Sequence, residues 1–255
     1  MGAERKPFGA DLPPWPQVDF AAFGEVEVRP LSRVQKFVAG FMARNWVSIP
    51  HVTHHDEADV TELERHRKAL QGEDRLTPLA FVVKAVVAAL KAFPQFNASL
   101  DAGADNLVLK KYFHIGIAVD TPSGLLVPVI RDCDRKSLRQ IAQEIEAVSR
   151  KAREKGLPMA DMAGGCFTIS SLGSIGGTAF TPIINAPEVA VLGVSRTREV
   201  AGRGADGSLD WRMMMPLDLS YDHRVINGAD AARFCRAVAA ELARPAQPVD
   251  AGPAR

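Results

Sequence analysis

Residues Thr77–Phe93, TPLAFVVKAVVAALKAF, are apolar along almost their whole length, with Lys84 and Lys91 as the charged exceptions. A helix that is apolar on all sides must be enclosed on all sides. A bilayer-crossing helix needs roughly 20 such residues, and this stretch falls short. The expectation is a helix buried within the fold. Such a helix requires a large core, and 255 residues at 47% hydrophobic content can supply one, although two small domains would also fit.

The rest of the chain punctuates readily. Residues 1–24 carry Pro7, Pro13, Pro14 and Pro16 and read as an extended arm or linker remnant. Glu25–Val28 is strand-like. Pro30-Leu31-Ser32 then opens a helix running to about Trp46, with Ser32 as its cap. Ile49–Val60 alternates as a strand, and Thr61-Glu-Leu-Glu64 has the form of a capping box for a short helix carrying Arg65, Arg67 and Lys68. Tyr112–Val119 and Leu125–Ile130 are β-rich and flank a turn at Thr121-Pro-Ser-Gly124. Ser137–Lys155 predicts an amphipathic helix, Cys166–Ser170 a strand entering a glycine-rich loop, Val189–Val194 and Met213–Tyr221 two more strands, and Ala229–Leu242 a last helix. Strands alternating with long helices, some joined by short connections, predict an α/β fold with a mixed β-sheet and flanking helices.

The charge balance, 31 basic against 30 acidic residues, points to neither nucleic acid nor an acidic membrane surface. Cys133, Cys166 and Cys235 are few and scattered, as expected of free thiols in a reducing compartment. Residues 1–16 hold no apolar signal segment. These features fit a cytoplasmic protein of bacterial type, or the mitochondrial matrix if the source is eukaryotic.

Three segments carry candidate chemistry. In Ser220-Tyr-Asp-His-Arg-Val-Ile-Asn-Gly228 a strand delivers His223 to its end before Asn-Gly turns the chain. A histidine there suits general-base work, because its ordinary pKa lies near neutrality; a hydrogen-bonded core histidine is the alternative. Asp222 and Arg224 flank it, able either to orient the ring or to pair with neighbours. In Phe167-Thr-Ile-Ser-Ser-Leu-Gly-Ser-Ile-Gly-Gly177, a hydroxyl at a strand end could donate to an oxyanion, or could belong to an ordinary turn. The glycines fit neither a dinucleotide fingerprint nor a P-loop, and no G-x-S-x-G elbow is present. His51-Val-Thr-His-His55 could suggest a metal, but His51 and His54 point to opposite strand faces and the cysteines are far away, so no metal site is expected.

Taken together these pieces resemble the catalytic domain of the E2 dihydrolipoamide acyltransferases of 2-oxo acid dehydrogenase complexes. The family signature D-H-R-x-x-[DN]-G stands here as Asp222-His-Arg-Val-Ile-Asn-Gly228, and PLSRVQK, RNWVSIPHVTHHDEADVTELE, IGIAVDTPSGLLVPVIRD and FTISSLGSIGGTAFTPIINAPEVAVLGVSR match as well. The resemblance runs from about Val18 to Leu242. It implies a chloramphenicol acetyltransferase-like fold, a two-layer α+β sandwich, with residues 25–243 as the catalytic domain, 1–24 as the arm and 244–255 as a tail. The wording SLGSIGGTAFTPIINAPEVAVLGVS is similar to the acetyl-transferring, pyruvate type of the family rather than the succinyl type.

The resemblance implies roles residue by residue. His223 is the general base that removes the thiol proton of coenzyme A or of dihydrolipoamide. Ser170 is the oxyanion donor, and Ser171 stands where many relatives have asparagine. Asn227, the third candidate catalytic residue, stands where many relatives have aspartate. Its amide can hold a loop or donate a hydrogen bond but cannot serve as a negative orienter, so no Ser-His-Asp triad is expected. Arg67 and Asp120 are placed along the coenzyme A channel, and Leu192 lines its thiol end. Lys84 has two readings, a functional buried lysine with a partner or a stem that snorkels to the surface. Coenzyme A is a substrate, and lipoamide comes from a lipoyl domain for which residues 1–24 leave no room. Either the sequence is a piece of a longer protein or the lipoyl arm arrives in trans. Partners implied are two more copies, forming a homotrimer with the active site between subunits, the lipoyl domain, and the E1 and E3 components. The rival class is a catalytically silent scaffold that organises partner enzymes; retention of both His223 and Ser170 speaks for the enzyme. In residues 243–255 Val249 is the sole large aliphatic among three prolines, so the expectation is a trimer that does not close into a cage.

Overall fold

The computed structural model describes residues 14–70, 76–122, 124–204 and 206–244. Its principal element is a mixed sheet, laid down in chain order as β1 (His51–Asp59), β4 (Ile115–Ile117), β7 (Val129–Ile130), β8 (Phe167–Ser171), β9 (Ala190–Val194), β10 (Arg198–Arg203) and β11 (Leu209–Asp222). Across the sheet the order is β1-β11-β9-β8-β4-β7, and β10 pairs with the first half of β11. The pairs β4–β8 and β8–β9 are parallel; β11 runs antiparallel to β9, β1 and β10. Two small hairpins stand apart: β2 (Ala98–Leu100) with β3 (Leu107–Leu109), and β5 (Val119–Thr121) with β6 (Gly124–Leu126).

Helices cover one face, except the first, whose only buried residue, Asn45, bonds Ile184 O in the segment across the other face. α1 (Arg33–Ser48) precedes β1, α2 (Thr61–Ala69) follows it, and then come α3 (Pro78–Ala92), α4 (Leu138–Lys155), the one-turn α5 (Met159–Met162) and α6 (Gly228–Ala243). α3 is the enclosed helix that its composition demands: Ala80 to Val83, Ala85 to Val87, Ala89 and Leu90 are buried. They join residues of α4 and α6 and the strand residues Ile115, Ile117, Phe167, Ile169, Leu192, Leu217 and Leu219 in one core. Because strand side chains alternate, the intervening residues of β8, β9 and β11 point to the other face. That face carries Thr168, Ser170, Gly193, Asp218, Ser220 and Asp222, and the segment around Phe180 and Ile184 lies across part of it.

The caps of α1 and α4 are capping boxes, Ser32 with Gln35 and Ser137 with Gln140. Elsewhere the structure departs from the sequence reading. Glu25–Val28 is exposed and irregular, with Arg29 and Glu27 paired to each other on the surface. Thr61 does not cap α2, because its hydroxyl donates to Asp59 Oδ1 at 2.6 Å and accepts from Met213 N at 2.9 Å, while Glu64 turns to Arg67. The arm, expected to be extended, makes a 3-10 turn at Phe20–Ala22. The Tyr112–Val119 run splits into β4 and β5, and β10 and the β2–β3 hairpin were not anticipated. The tail expected to influence assembly lies, from residue 245 on, outside the described residues.

Candidate active site

His223 is the first residue after β11, and the turn that holds it is fixed from both sides. Asp222 N donates to Val189 O at 2.8 Å and His223 N to Pro50 O at 3.1 Å. The buried Asp222 carboxylate receives Arg224 through Nε at 2.9 Å, Nη2 at 2.6 Å and the backbone N at 3.0 Å. The paired guanidinium compensates the buried charge. The imidazole itself is exposed, its ring 5.8 Å from that of Tyr221. The next residue, Arg224, lines a cleft of about 520 Å³ with Trp46, Ile49, Pro50 and His51; His223 is not part of its wall. His51 is wholly engaged: Nδ1 donates to Ile49 O at 2.8 Å and Nε2 accepts from Ile184 N at 3.0 Å.

Asn227 is the N-cap of α6. Its Oδ1 accepts from Asp230 N and its Nδ2 donates to Asp230 Oδ2, both at 2.9 Å. Both ends of the amide therefore serve the helix start.

Ser170 lies near the end of β8, half-buried, on the face turned away from the helices. Ser171 points the opposite way, into a cavity of about 720 Å³ that Asp120 also lines, with Ile117, Val119 and Arg139. The strand register separates His223 from Ser170. Ser170 pairs with Gly193, Gly193 pairs with Asp218, and His223 is five residues further along β11. With ~3.3 Å per residue and ~4.8 Å per strand, the two side chains of one chain start roughly 20 Å apart. A base and an oxyanion donor must each come within about 3 Å of adjacent reacting atoms. The two residues of a single chain cannot meet one substrate.

The remaining expected residues fall as follows. The Arg67 guanidinium is held by Glu64 in a two-pronged pair, at 2.9 and 2.8 Å. Lys84 does not reach solvent freely; its Nζ donates to Lys136 O at 3.0 Å, and burial holds its pKa below the usual lysine range. Leu192 is fully buried, in register between Ile169 and Leu219, so in this chain it faces the core and not an open channel. The three cysteines are buried, and burial pushes the Cys133 and Cys235 thiols up to about 12 and the Cys166 thiol upward. The chain's own sulfurs are therefore held as thiols, and thiolate chemistry needs a sulfur from the substrate. Among the described residues no helix is long and apolar enough to cross a membrane. A residue that the sequence reading passed over is Asp218. Its signal was present, since a carboxylate inside the apolar strand Met213–Tyr221 requires a partner.

Residues 23–249 match the model of the 2-oxoacid dehydrogenases acyltransferase catalytic domain. The chain belongs to that acyltransferase family. It is 56% identical over 88% of its length to the dihydrolipoyllysine-residue acetyltransferase component of the pyruvate dehydrogenase complex of Cupriavidus necator. The chain spans 41% of that relative, less than half of its length. Two solved structures superpose with a TM-score of 0.88 at 51% identity, covering 91% of this chain and 97% of theirs. One comes from a study of a serine, a histidine and an asparagine in the catalytic mechanism of the Azotobacter vinelandii dihydrolipoamide acetyltransferase, and the other is the cubic core of a pyruvate dehydrogenase multienzyme complex. A chloramphenicol acetyltransferase, at 17% identity over 81% of this chain and 92% of its own, shares the fold with a TM-score of 0.56. The expected chloramphenicol acetyltransferase-like architecture is thus the one observed.

Proposed function

We propose that this chain transfers an acetyl group between S-acetyldihydrolipoamide and coenzyme A, at a site built from two copies of the chain. The observation that carries the reading is the division of the site. His223 is presented, exposed, at one end of the sheet and Ser170 towards the other, each fixed by its own strand. The relatives named as acetyltransferases, and the cubic core among the solved structures, support both the acyl group and the assembly.

In the forward direction the His223 imidazole takes the proton from the thiol of coenzyme A. The thiolate attacks the carbonyl carbon of acetyldihydrolipoamide, and the Ser170 hydroxyl of a neighbouring copy donates to the oxygen as it gains charge. The tetrahedral species collapses, the carbon–sulfur bond to the lipoamide breaks, and the departing thiolate takes the proton back from the imidazolium. The three buried thiols of the chain stay out of this exchange. Asp120 and the cavity that it lines are assigned to substrate binding. Arg67, whose Nε and Nη2 are held by Glu64, is assigned to a phosphate of coenzyme A. The assembly is a homotrimer or a higher body built from trimers, served by a lipoyl domain and the E1 and E3 components, in the cytoplasm of a bacterial cell.

The test is acetyl transfer from acetyl-CoA to free dihydrolipoamide by the assembled protein. His223→Ala is expected to lose a factor of about 10² to 10⁴, and a rate within a few-fold of wild type would overturn the base assignment. Succinyl-CoA should be the poorer donor in kcat/KM. A preference for it would overturn the acetyl reading.

A further inference from the structure

On the sheet face turned away from the helices, four strands present a single row of register partners. Ser170 of β8 pairs with Gly193 of β9, Gly193 with Asp218 of β11, and Asp218 with His55 of β1. The second place in the row is a glycine for a visible reason. A Cβ there would stand 2.7 Å from Phe180 Cζ and 3.1 Å from Asp218 Cβ, so the phenyl ring occupies the space that a side chain would need. Same-face neighbours on adjacent strands are about 5 Å apart. The Phe180 ring therefore lies over Gly193, the register neighbour of Ser170.

The third place in the row holds that ring's segment down. Asp218 is buried, and both carboxylate oxygens are used: Oδ1 accepts from His55 Nδ1 at 2.6 Å, and Oδ2 accepts from Phe180 N and from Ser195 Oγ, each at 3.3 Å. Gly177, three residues before Phe180, packs towards the same Ser195 hydroxyl, where its Cβ would stand 4.0 Å away. Both contacts to Oδ2 are long, and together they join Phe180 N and the Ser195 hydroxyl to one buried carboxylate oxygen. The turn that follows Ser170 and Ser171 is thus tied back onto the sheet by Asp218.

We propose that Asp218 is a positioning residue for the acyl-transfer reaction: with Gly193 as the seat, it locks the Phe180 segment against the sheet and so fixes the direction of the Ser170 hydroxyl. This rests on the reading of Ser170 as the oxyanion donor. A donor held in the right place serves the transition state and not the binding of coenzyme A, so its loss falls on kcat.

The experiment is a double-mutant cycle on the assembled protein, with the mass and far-UV signal of each variant checked first. Asp218→Ala should lower kcat by about 10-fold, the order expected when a reacting group is displaced by a fraction of an ångström, and leave KM for coenzyme A within about twofold. Asp218→Asn, which keeps an acceptor for Phe180 N, should recover most of the rate. Phe180→Leu removes the ring without touching the carboxylate, so it tests the same idea if Asp218→Ala fails to assemble; it should also lower kcat several-fold. In a Ser170→Ala background, each of these substitutions should cost less than about twofold, because the group being positioned is gone. If Ser170→Ala is slow but the costs multiply, this inference is overturned and the oxyanion assignment stands. If Ser170→Ala itself keeps the wild-type rate, both are overturned.

Discussion

At the scale of single residues, two adjacent serines show what alternation along a strand decides. Ser170 faces the polar side of the sheet with Gly193 and Asp218, whereas Ser171 lines the cavity on the helix side. Ser170→Ala should therefore lower kcat by about 10² with KM nearly unchanged, and Ser171→Ala should be much milder. The reverse order would move the donor role to Ser171. Asn227 makes a different point. Its place in the signature suggests a part in the chemistry, and in the single chain its amide also caps α6. Asn227→Ala should cost about 1 kcal/mol in urea unfolding, and Asn227→Ser should restore most of it. His223 could be singled out in the sequence because the residues around it form a dense pattern. The pairing of Asp218 with His55 went unread, because it runs across strands and only the β1–β11 register brings the two together.

Among the elements, legibility followed burial. α3 was unmistakable because it is apolar on all sides apart from Lys84 and Lys91, and the second half of β11 because eight residues in succession, Met215 to Asp222, are buried. β3 and β10 are largely exposed and short, and nothing in their sequence compels a strand. The entrance to β9 carries a consequence for pH. Glu188 is buried beside Thr168 and Lys110, and its Oε2 completes no hydrogen bond among the described residues. Burial pushes its carboxyl from its ordinary 4.5 up to about 7. Between those values the folded chain holds a proton that the unfolded chain has released, so stability falls as pH rises through this window and the loss is complete above it. The cost is about 3 kcal/mol. Glu188→Gln should be close to wild type in urea unfolding at pH 4.5 and more stable by up to that amount at pH 8. A stability difference that does not grow with pH would contradict the assignment.

For the whole molecule, the sheet register divides the chemistry and the surface invites a neighbour. Trp15, Phe20 and Phe23 of the arm, Phe37 and Trp46 of α1, and Val28 between the two are exposed in the single chain. Exposed apolar residues in such number mark an interaction surface, and light scattering on dilute protein should give three chains or a multiple of three. No spacing along the sequence could reveal that His223 and Ser170 stand roughly 20 Å apart, since that distance depends on which strands are neighbours. The central claim, that one site draws on two chains, is tested most directly by mixing two inactive ones. His223→Ala and Ser170→Ala chains, co-expressed in equal amounts, leave each chain without one of the two groups. If base and donor come from different chains, random assembly makes about one site in four intact in a cyclic body. The account predicts recovery to about a quarter of the wild-type rate. Activity in the mixture no higher than the average of the two separate variants would contradict it.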